Sequence, residues 1–258
     1  MTDPARTIRI MGILNLNGDS FYAPSRYNFP VLDEGPDILD IGAVSTRPGA
    51  GEVPVAEEWA RLRPVLRALD PGVVVSLDTT SAEIVERACD LLGRPVIVND
   101  ISSGEDDPAM LPAVGRLGLS YIAMHKRGTP STMQSMCDYG DVVEDIVDYF
   151  RGFAAKAAEN GISDWTVDPG FGFAKTVEQN YSLLRGLERF SVLGRPLLVG
   201  ISRKSFIYKP LGLGPEDVLG ATQTLHLAAL ERGADILRVH DVSAARQTVT
   251  LYRMLSGL

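Results

Sequence analysis

Cysteine is nearly absent from this chain. Its 258 residues include only Cys89 and Cys137, far apart and in no C-x-x-C pair, so neither a disulfide framework nor a four-ligand zinc centre can be assembled from them. Histidine is as sparse: His125, His226 and His240 are the three present, and none belongs to an H-E-x-x-H pattern. An excess of positive charge is missing too, because 25 basic against 33 acidic side chains leave a net charge of −8, which argues against a nucleic-acid surface. No apolar run reads as a membrane span; the first is broken by Arg9 and Asn15, and the opening Met1-Thr2-Asp3-Pro4-Ala5-Arg6 lacks the layout of a signal peptide. Glycine (25) and proline (16) make up about a sixth of the chain, below the roughly one quarter that marks low complexity. What remains is a chain that is 45% hydrophobic and 22% charged, a composition able to bury a large core and suited to a reducing, cytoplasmic compartment.

Short apolar runs alternate with segments of helical periodicity, which signals a parallel sheet with crossover helices. Eight runs stand out, at 8–14, 38–41, 73–77, 96–98, 120–124, 165–167, 197–201 and 236–239, each apolar throughout as a strand buried on both faces should be. Helices are expected over 54–69, 81–92, 141–160, 177–187, 217–232 and 243–255. Between the first two strands, Pro24, Pro30 and Pro36 and a weak period predict a first helix that is short or missing. Divided among eight units, 258 residues give about 32 each, near the roughly 30 needed by a strand, loop, helix and return. The expectation is a single α/β domain over residues 1–258, a (β/α)8 TIM barrel; a doubly wound open sheet is the alternative, since periodicity does not reveal closure.

Polar residues recur at nearly every strand end: Asn15, then Gly42, Asp78, Asn99-Asp100, His125, Asp168, Ser202-Arg203-Lys204 and His240-Asp241. In both parallel architectures ligands bind outside the carboxyl ends of the strands, so these side chains converge on one mouth. Any one of them could be an ordinary helix cap, but a cap role does not explain the series. Three loops, at 45–51, 126–130 and 200–205, combine glycine, a cation and hydroxyls, a composition suited to an anionic or phosphorylated ligand. None is a nucleotide fingerprint: no G-x-G-x-x-G follows a strand, and Arg203-Lys204-Ser205 lacks the upstream glycine of a P-loop. No G-x-S-x-G elbow marks a nucleophilic serine. His226 lies in an apolar helix and reads as packing, whereas His240 reads as functional from its place at the last strand's end.

The order of these motifs resembles the dihydropteroate synthases of the pterin-binding family. The likeness runs from Ile10-Met11-Gly12-Ile13-Leu14-Asn15 through Asp40-Ile41-Gly42, Ser45-Thr46-Arg47-Pro48-Gly49-Ala50, Ser76-Leu77-Asp78-Thr79, Asn99-Asp100, Met124-His125 and Asp168-Pro169-Gly170-Phe171-Gly172-Phe173-Ala174-Lys175 to Ser202-Arg203-Lys204-Ser205 and Arg238-Val239-His240-Asp241. The resemblance implies a barrel transferase of folate synthesis, joining 6-hydroxymethyl-7,8-dihydropterin diphosphate to p-aminobenzoate with release of pyrophosphate, and a target of sulfonamides, which resemble the amine. It implies that Asp78, Asn99, Asp168 and Lys204 hold the pterin, with Arg238 stacked over the ring and Met124 lining the pocket. By the same resemblance, Asn15 would meet a Mg²⁺ ion, Thr46, Arg47, Arg238 and His240 would face the diphosphate, and Phe173, Pro48, Lys204 and Ser205 would surround p-aminobenzoate. A homodimer is implied as well, with small-molecule substrates and neither nucleic acid nor membrane as partner.

Each implied role has a physical basis. A carboxylate such as Asp168 can accept two adjacent N–H donors from a pterin edge, and cations near the leaving diphosphate act most strongly as its charge grows. The chain departs from the family pattern at Asn17-Gly18, where Thr-Pro is usual, at Ala43-Val44, where a glycine and an acidic or amide residue are usual, and in its short first helix. The glycine raises the ordering cost of its loop by up to about 1 kcal/mol. Two alternatives accompany the synthase: a non-catalytic or altered-substrate pterin-binding paralogue, and a corrinoid-linked methyltetrahydrofolate methyltransferase, which would have no diphosphate to meet Lys204, Arg238 and His240.

Overall fold

Branched and apolar residues pack well on a pleated, buried surface, and all eight apolar runs contribute to strands in the computed structural model, which describes residues 6–16, 30–44, 53–128 and 132–257. These are β1 (Arg9–Asn15), β2 (Ile38–Gly42), β3 (Val75–Asp78), β4 (Ile97–Asp100), β5 (Ser120–Met124), β6 (Trp165–Asp168), β7 (Leu198–Val199) and β8 (Ile236–Val239). Parallel ladders join β1 to β6 in sequence, and further ladders join β8 to β1 and β7 to β8. A parallel bridge between Val167 and Leu197 connects β6 to β7, so the sheet closes into the expected barrel rather than the open alternative. Several strands run further at their C-terminal ends than their apolar runs: Asn15, Asp78, Asn99, Asp100 and Asp168 are strand residues, held in the ladders rather than in the loops that follow.

The helices are α1 (Pro30–Asp33), α2 (Val55–Ala68), α3 (Ala82–Leu92), α4 (Met110–Leu117), α5 (Val142–Glu159), α6 (Val177–Arg185), α7 (Ser205–Leu211), α8 (Leu219–Glu231) and α9 (Val242–Ser256). Their ends follow local chemistry. Ser81 accepts a hydrogen bond from the Ile84 amide at the start of α3, Asp141 accepts from Val143 and Glu144 at α5, and Thr176 with Gln179 forms a reciprocal capping box at α6. The first helix is short, at four residues. Helix α4 is not legible as a period, because it spans only eight residues and contains Pro112 and Gly115; its proline sits in the first turn, where no intrahelical donor is lost, and Met110, Leu111, Ala113 and Val114 are buried.

Two apolar clusters result. The larger fills the layer between barrel and helices, from Ile10 and Leu39 to Val239 and Tyr252. The smaller plugs the barrel itself and consists of Met11, Ile38, Ile122, Leu198 and Ile236, with Ile97 packed against them. Among the described residues no helix is long and apolar enough to cross a membrane.

Candidate active site

Successive side chains of a strand alternate between its faces, so each plug residue marks the inward face and the residue two further on stands above it. Above Ile38, Ile97, Ile122, Leu198 and Ile236 this places Asp40, Asn99, Met124, Gly200 and Arg238. The result is a pocket over an apolar floor, at the carboxyl ends of the strands. Asp78, Asn99, Met124, Asp168, Lys204 and Arg238 line it, and Ile101, Phe171 and Phe173 add apolar wall. Seven sequence-predicted site residues thus meet in one cavity.

Arg238 is the hub of its deep side. Its Nε donates to Asp40 Oδ2 at 2.7 Å and its Nη2 to Asp78 Oδ2 at 2.6 Å, while Asn99 Nδ2 donates to the same Asp40 oxygen at 3.1 Å. Burial opposes the guanidinium's charge, but Asp40 and Asp78 push its pKa above the ordinary arginine value. Asp78 is pushed up to about 7 by burial, against Arg238, with the neighbouring Asp40 carboxylate adding to the rise. Gly42 makes room for this carboxylate, since a Cβ there would lie 3.3 Å from both the Cβ and Oδ2 of Asp78. Asp40 lies in the Asp40-Ile41-Gly42 motif but is not among the site residues expected from the sequence. It is fully buried, and its second oxygen, Oδ1, has no hydrogen-bond partner among the described residues.

The opposite side is built by the segment after β6. Asp168 Oδ1 accepts from the Gly170 amide at 2.8 Å; burial raises this carboxyl's pKa, while that amide, Lys204 and Arg238 pull it down. Lys204 lies over the Phe173 ring, 4.5 Å from its centroid. Beneath them Lys175 is buried, donating to the carbonyls of Gly170 at 2.8 Å and Phe173 at 3.0 Å and approaching His125 Nδ1 at 3.4 Å. Burial brings its pKa down to about 7 despite Asp168, and burial with Lys175 beside it takes His125 down to about 2. His125 is thus a neutral packing residue, edge-on to Tyr149 at 4.9 Å, rather than a polar group of the mouth.

At the rim, His240 Nδ1 and its backbone amide both contact Ser202 Oγ, at 3.0 and 3.2 Å. Asn15 is exposed at the end of β1, beside Gly42, and Ser205 is the first residue of α7, half-buried. Thr46, Arg47, Pro48 and the unusual Asn17-Gly18 lie outside the described residues. Ala43 faces the main core rather than the mouth, its carbonyl held by Arg61 Nη1 at 2.7 Å.

Two of the three loops with anion-binding composition use cations internally, one of them both and the other only its arginine. Lys126 pairs with Asp106 at 2.7 Å, and Arg127 lies 3.9 Å over the Tyr139 ring and donates to the Asp138 carbonyl. In the loop after β7, Arg203 pairs with Asp241 at 2.7 Å and with Glu216, so only Lys204 of that loop's cations enters the pocket. Composition shows which cations a loop holds, whereas distant carboxylates decide which of them are engaged.

The chain matches the model of the pterin binding enzyme family over residues 11–240. It is 40% identical over 252 residues to the dihydropteroate synthase of Synechocystis, covering 92% of this chain and 86% of that one. Among solved structures, the Yersinia pestis dihydropteroate synthase with a sulfonamide drug complex superposes with a TM-score of 0.89 at 34% identity, covering 100% of this chain and 97% of that one. The Thermus thermophilus enzyme in complex with 4-aminobenzoate gives 0.86 at 40% identity, covering 96% and 95%.

Proposed function

The chain belongs to the pterin-binding enzyme family, and from that premise we infer that it is a transferase condensing 6-hydroxymethyl-7,8-dihydropterin diphosphate with p-aminobenzoate to give 7,8-dihydropteroate and pyrophosphate, a step of folate biosynthesis. The observation that carries the reading is the single pocket in which Asp78, Asn99 and Asp168 face Lys204 and Arg238, in a chain that resembles dihydropteroate synthases over nearly its whole length.

The residues divide the work by depth. Asp168 accepts paired N–H donors from the pterin edge, Asn99 and Asp78 take further polar atoms of the ring, and Lys204 donates to a ring acceptor. Arg238, its planar guanidinium oriented by Asp40 and Asp78, presents its face to the ring, and Met124 packs against it. Cleavage of the C–O bond puts growing negative charge on the departing diphosphate, while the pterin ring delocalises the methylene cation left behind. His240 meets that charge from the rim and Arg238 from within the pocket, with Thr46 and Arg47 as further contacts. The amine of p-aminobenzoate, set between Phe173, Pro48, Lys204 and Ser205, attacks the cation and then releases one N–H proton to solvent, and no protein nucleophile is required.

A magnesium ion fits the donor set. Mg²⁺ prefers hard oxygen ligands, keeps several waters and binds through one or two protein groups plus substrate phosphates, and the exposed amide oxygen of Asn15 at the mouth is such a group. When bound, the ion supplies positive charge to the diphosphate. The reading includes a cytoplasmic homodimer; Leu251, Met254 and Leu255, 59% to 76% exposed at helical spacing on one face of α9, are an apolar strip available for it.

The test is pyrophosphate release by the purified protein given the pterin diphosphate, with and without p-aminobenzoate and Mg²⁺. Release that requires both establishes the synthase and shows that Asn17-Gly18 permits turnover. Pterin binding by calorimetry without release identifies a non-catalytic paralogue instead. Asp168→Ala and Lys204→Ala are expected to abolish pterin binding with the fold intact by circular dichroism. Arg47→Ala is expected to spare pterin binding and slow turnover.

A further inference from the structure

His240 is flanked by charge on several sides: Arg238, Arg203 and Lys204 oppose a proton on its ring and Asp241 favours one, while burial weighs more than any of them and brings its pKa down to about 4. At neutral pH the imidazole is therefore uncharged, and it donates a hydrogen bond from only one nitrogen. A group that meets a diphosphate through a lone-pair nitrogen would repel it, so the choice of tautomer decides whether the residue helps or hinders.

Ser202 stands at the end of the segment after β7, next to the end of β8, and is buried at 5% exposure. Its oxygen accepts the backbone N–H of His240 at 3.2 Å, a group that can only donate. The hydroxyl has a single proton, and among the described residues the only other hydrogen-bonding contact of this oxygen is with the ring nitrogen His240 Nδ1, at 3.0 Å. A buried hydroxyl proton without an acceptor costs about 1–3 kcal/mol. The arrangement in which every group is satisfied has Ser202 donating to Nδ1, which leaves the ring proton on Nε2, the nitrogen directed away from the serine.

We propose that Ser202 is a positioning residue that fixes His240 as its Nε2–H tautomer, presenting a neutral hydrogen-bond donor to the departing diphosphate. This rests on the synthase reading for the identity of the diphosphate, but not for the tautomer. It separates the two basic groups that face the diphosphate by kind: Arg238, in the pocket, contributes charge, and His240, at the rim, contributes a directed donor that adds no charge to the empty site. The same hydroxyl holds the backbone and the ring of one residue, so it sets position and proton together.

The experiment is ¹⁵N nuclear magnetic resonance of the histidine rings at pH 7.5 in the full chain, beside steady-state kinetics. The chain has three histidines, and the signals lost in His240→Gln assign its ring. The wild-type ring is expected to show a protonated Nε2 and an unprotonated Nδ1. Ser202→Ala is expected to mix the tautomers and lower kcat roughly ten- to hundredfold, with pterin affinity and the KM for p-aminobenzoate unchanged. Ser202→Thr, which keeps the hydroxyl, is expected to retain both tautomer and kcat, and it carries the test if the alanine variant does not fold. A wild-type ring protonated at Nδ1, or a tautomer unaltered in Ser202→Ala, overturns the proposal. An altered tautomer with unaltered kcat overturns its link to the diphosphate. If the wild-type protein releases no pyrophosphate at all, the synthase reading fails while the ring signals still decide the tautomer.

Discussion

One oxygen of Asp40 accepts hydrogen bonds from Arg238 and Asn99, partners 198 and 59 positions away in the chain. Removing this carboxylate leaves a buried guanidinium with half its acidic partners and an amide with no acceptor. Breaking such a buried pair from one side costs about 3–5 kcal/mol. Asp40→Ala is therefore expected to lose about that much in urea unfolding and to weaken pterin binding in parallel, whereas Asp40→Asn, which keeps an acceptor for the amide, should lose less; equal stability of Asp40→Ala and wild type would deny Asp40 its central place. The sequence shows Asp40 inside a motif and, by alternation from Ile38, on the inward face. It does not show which of the inward polar groups bond to one another, because β2 and β8, far apart in the chain, become near neighbours only by pairing on either side of β1. Arg127 and Arg203 escaped sequence reasoning in the same way: their acceptors, Asp138 and Asp241, are fixed by how loops fold back rather than by local spacing.

The segment from Asp168 to Lys175 behaves as one element. Gly170 has φ of +70°, and a Cβ there would overlap the His125 carbonyl oxygen, so Gly170→Ala is strained in both backbone and packing. The expected result is a loss of more than about 2 kcal/mol in unfolding free energy, or an insoluble protein. Lys175→Met is the milder probe. It keeps the buried stem but takes the lysine donor from both carbonyls, leaving that of Gly170 with only the Phe173 amide, so the wall that carries Phe173 should loosen. A several-fold rise in KM for p-aminobenzoate with little change in pterin affinity is expected; a fall in both would mean that the whole pocket depends on this lysine. At this scale most of the structure was legible. Ser81, Asp141 and Thr176 announce their helices through cap chemistry; of the seven pocket residues, Asp78, Asn99, Asp168 and Lys204 follow from the strand ends, while Met124, Phe173 and Arg238 were implied only by the family resemblance. Helix α4 was hidden because tertiary burial, not propensity, holds it, and the strand ends were placed short because ladder partners draw polar residues such as Asp78 and Asp168 into regular pairing.

Across the whole molecule, buried histidines couple stability to acidity. Burial brings His226 in α8 down to about 4, against a small opposing effect of Asp241. Its pKa is lower folded than unfolded, so the unfolded chain binds more protons between pH 6.5 and 4. Stability is full above that window and falls as pH drops through it, by at most about 1.4 kcal/mol per pH unit for one such group. In the difference between wild type and His226→Leu, contributions of opposite sign from groups such as Asp78 cancel. The variant's melting temperature should therefore decline less steeply from pH 6.5 to 4.5, and parallel curves would refute the assignment.

Closure of the barrel has its own consequence. Seven of the joints between neighbouring strands are ladders, while β6 and β7 meet through the lone pairing of Val167 with Leu197 and the bond from the Val167 amide to the Pro196 carbonyl at 2.9 Å. Asp168 stands on one side of that joint and Lys204 beyond the other, so any molecule gripped by both is a clasp across the loosest stave of the cask. Occupancy of the site should then be felt as slower hydrogen exchange at the Val167 amide, and the enzyme would be mechanically tightest when its pocket is filled.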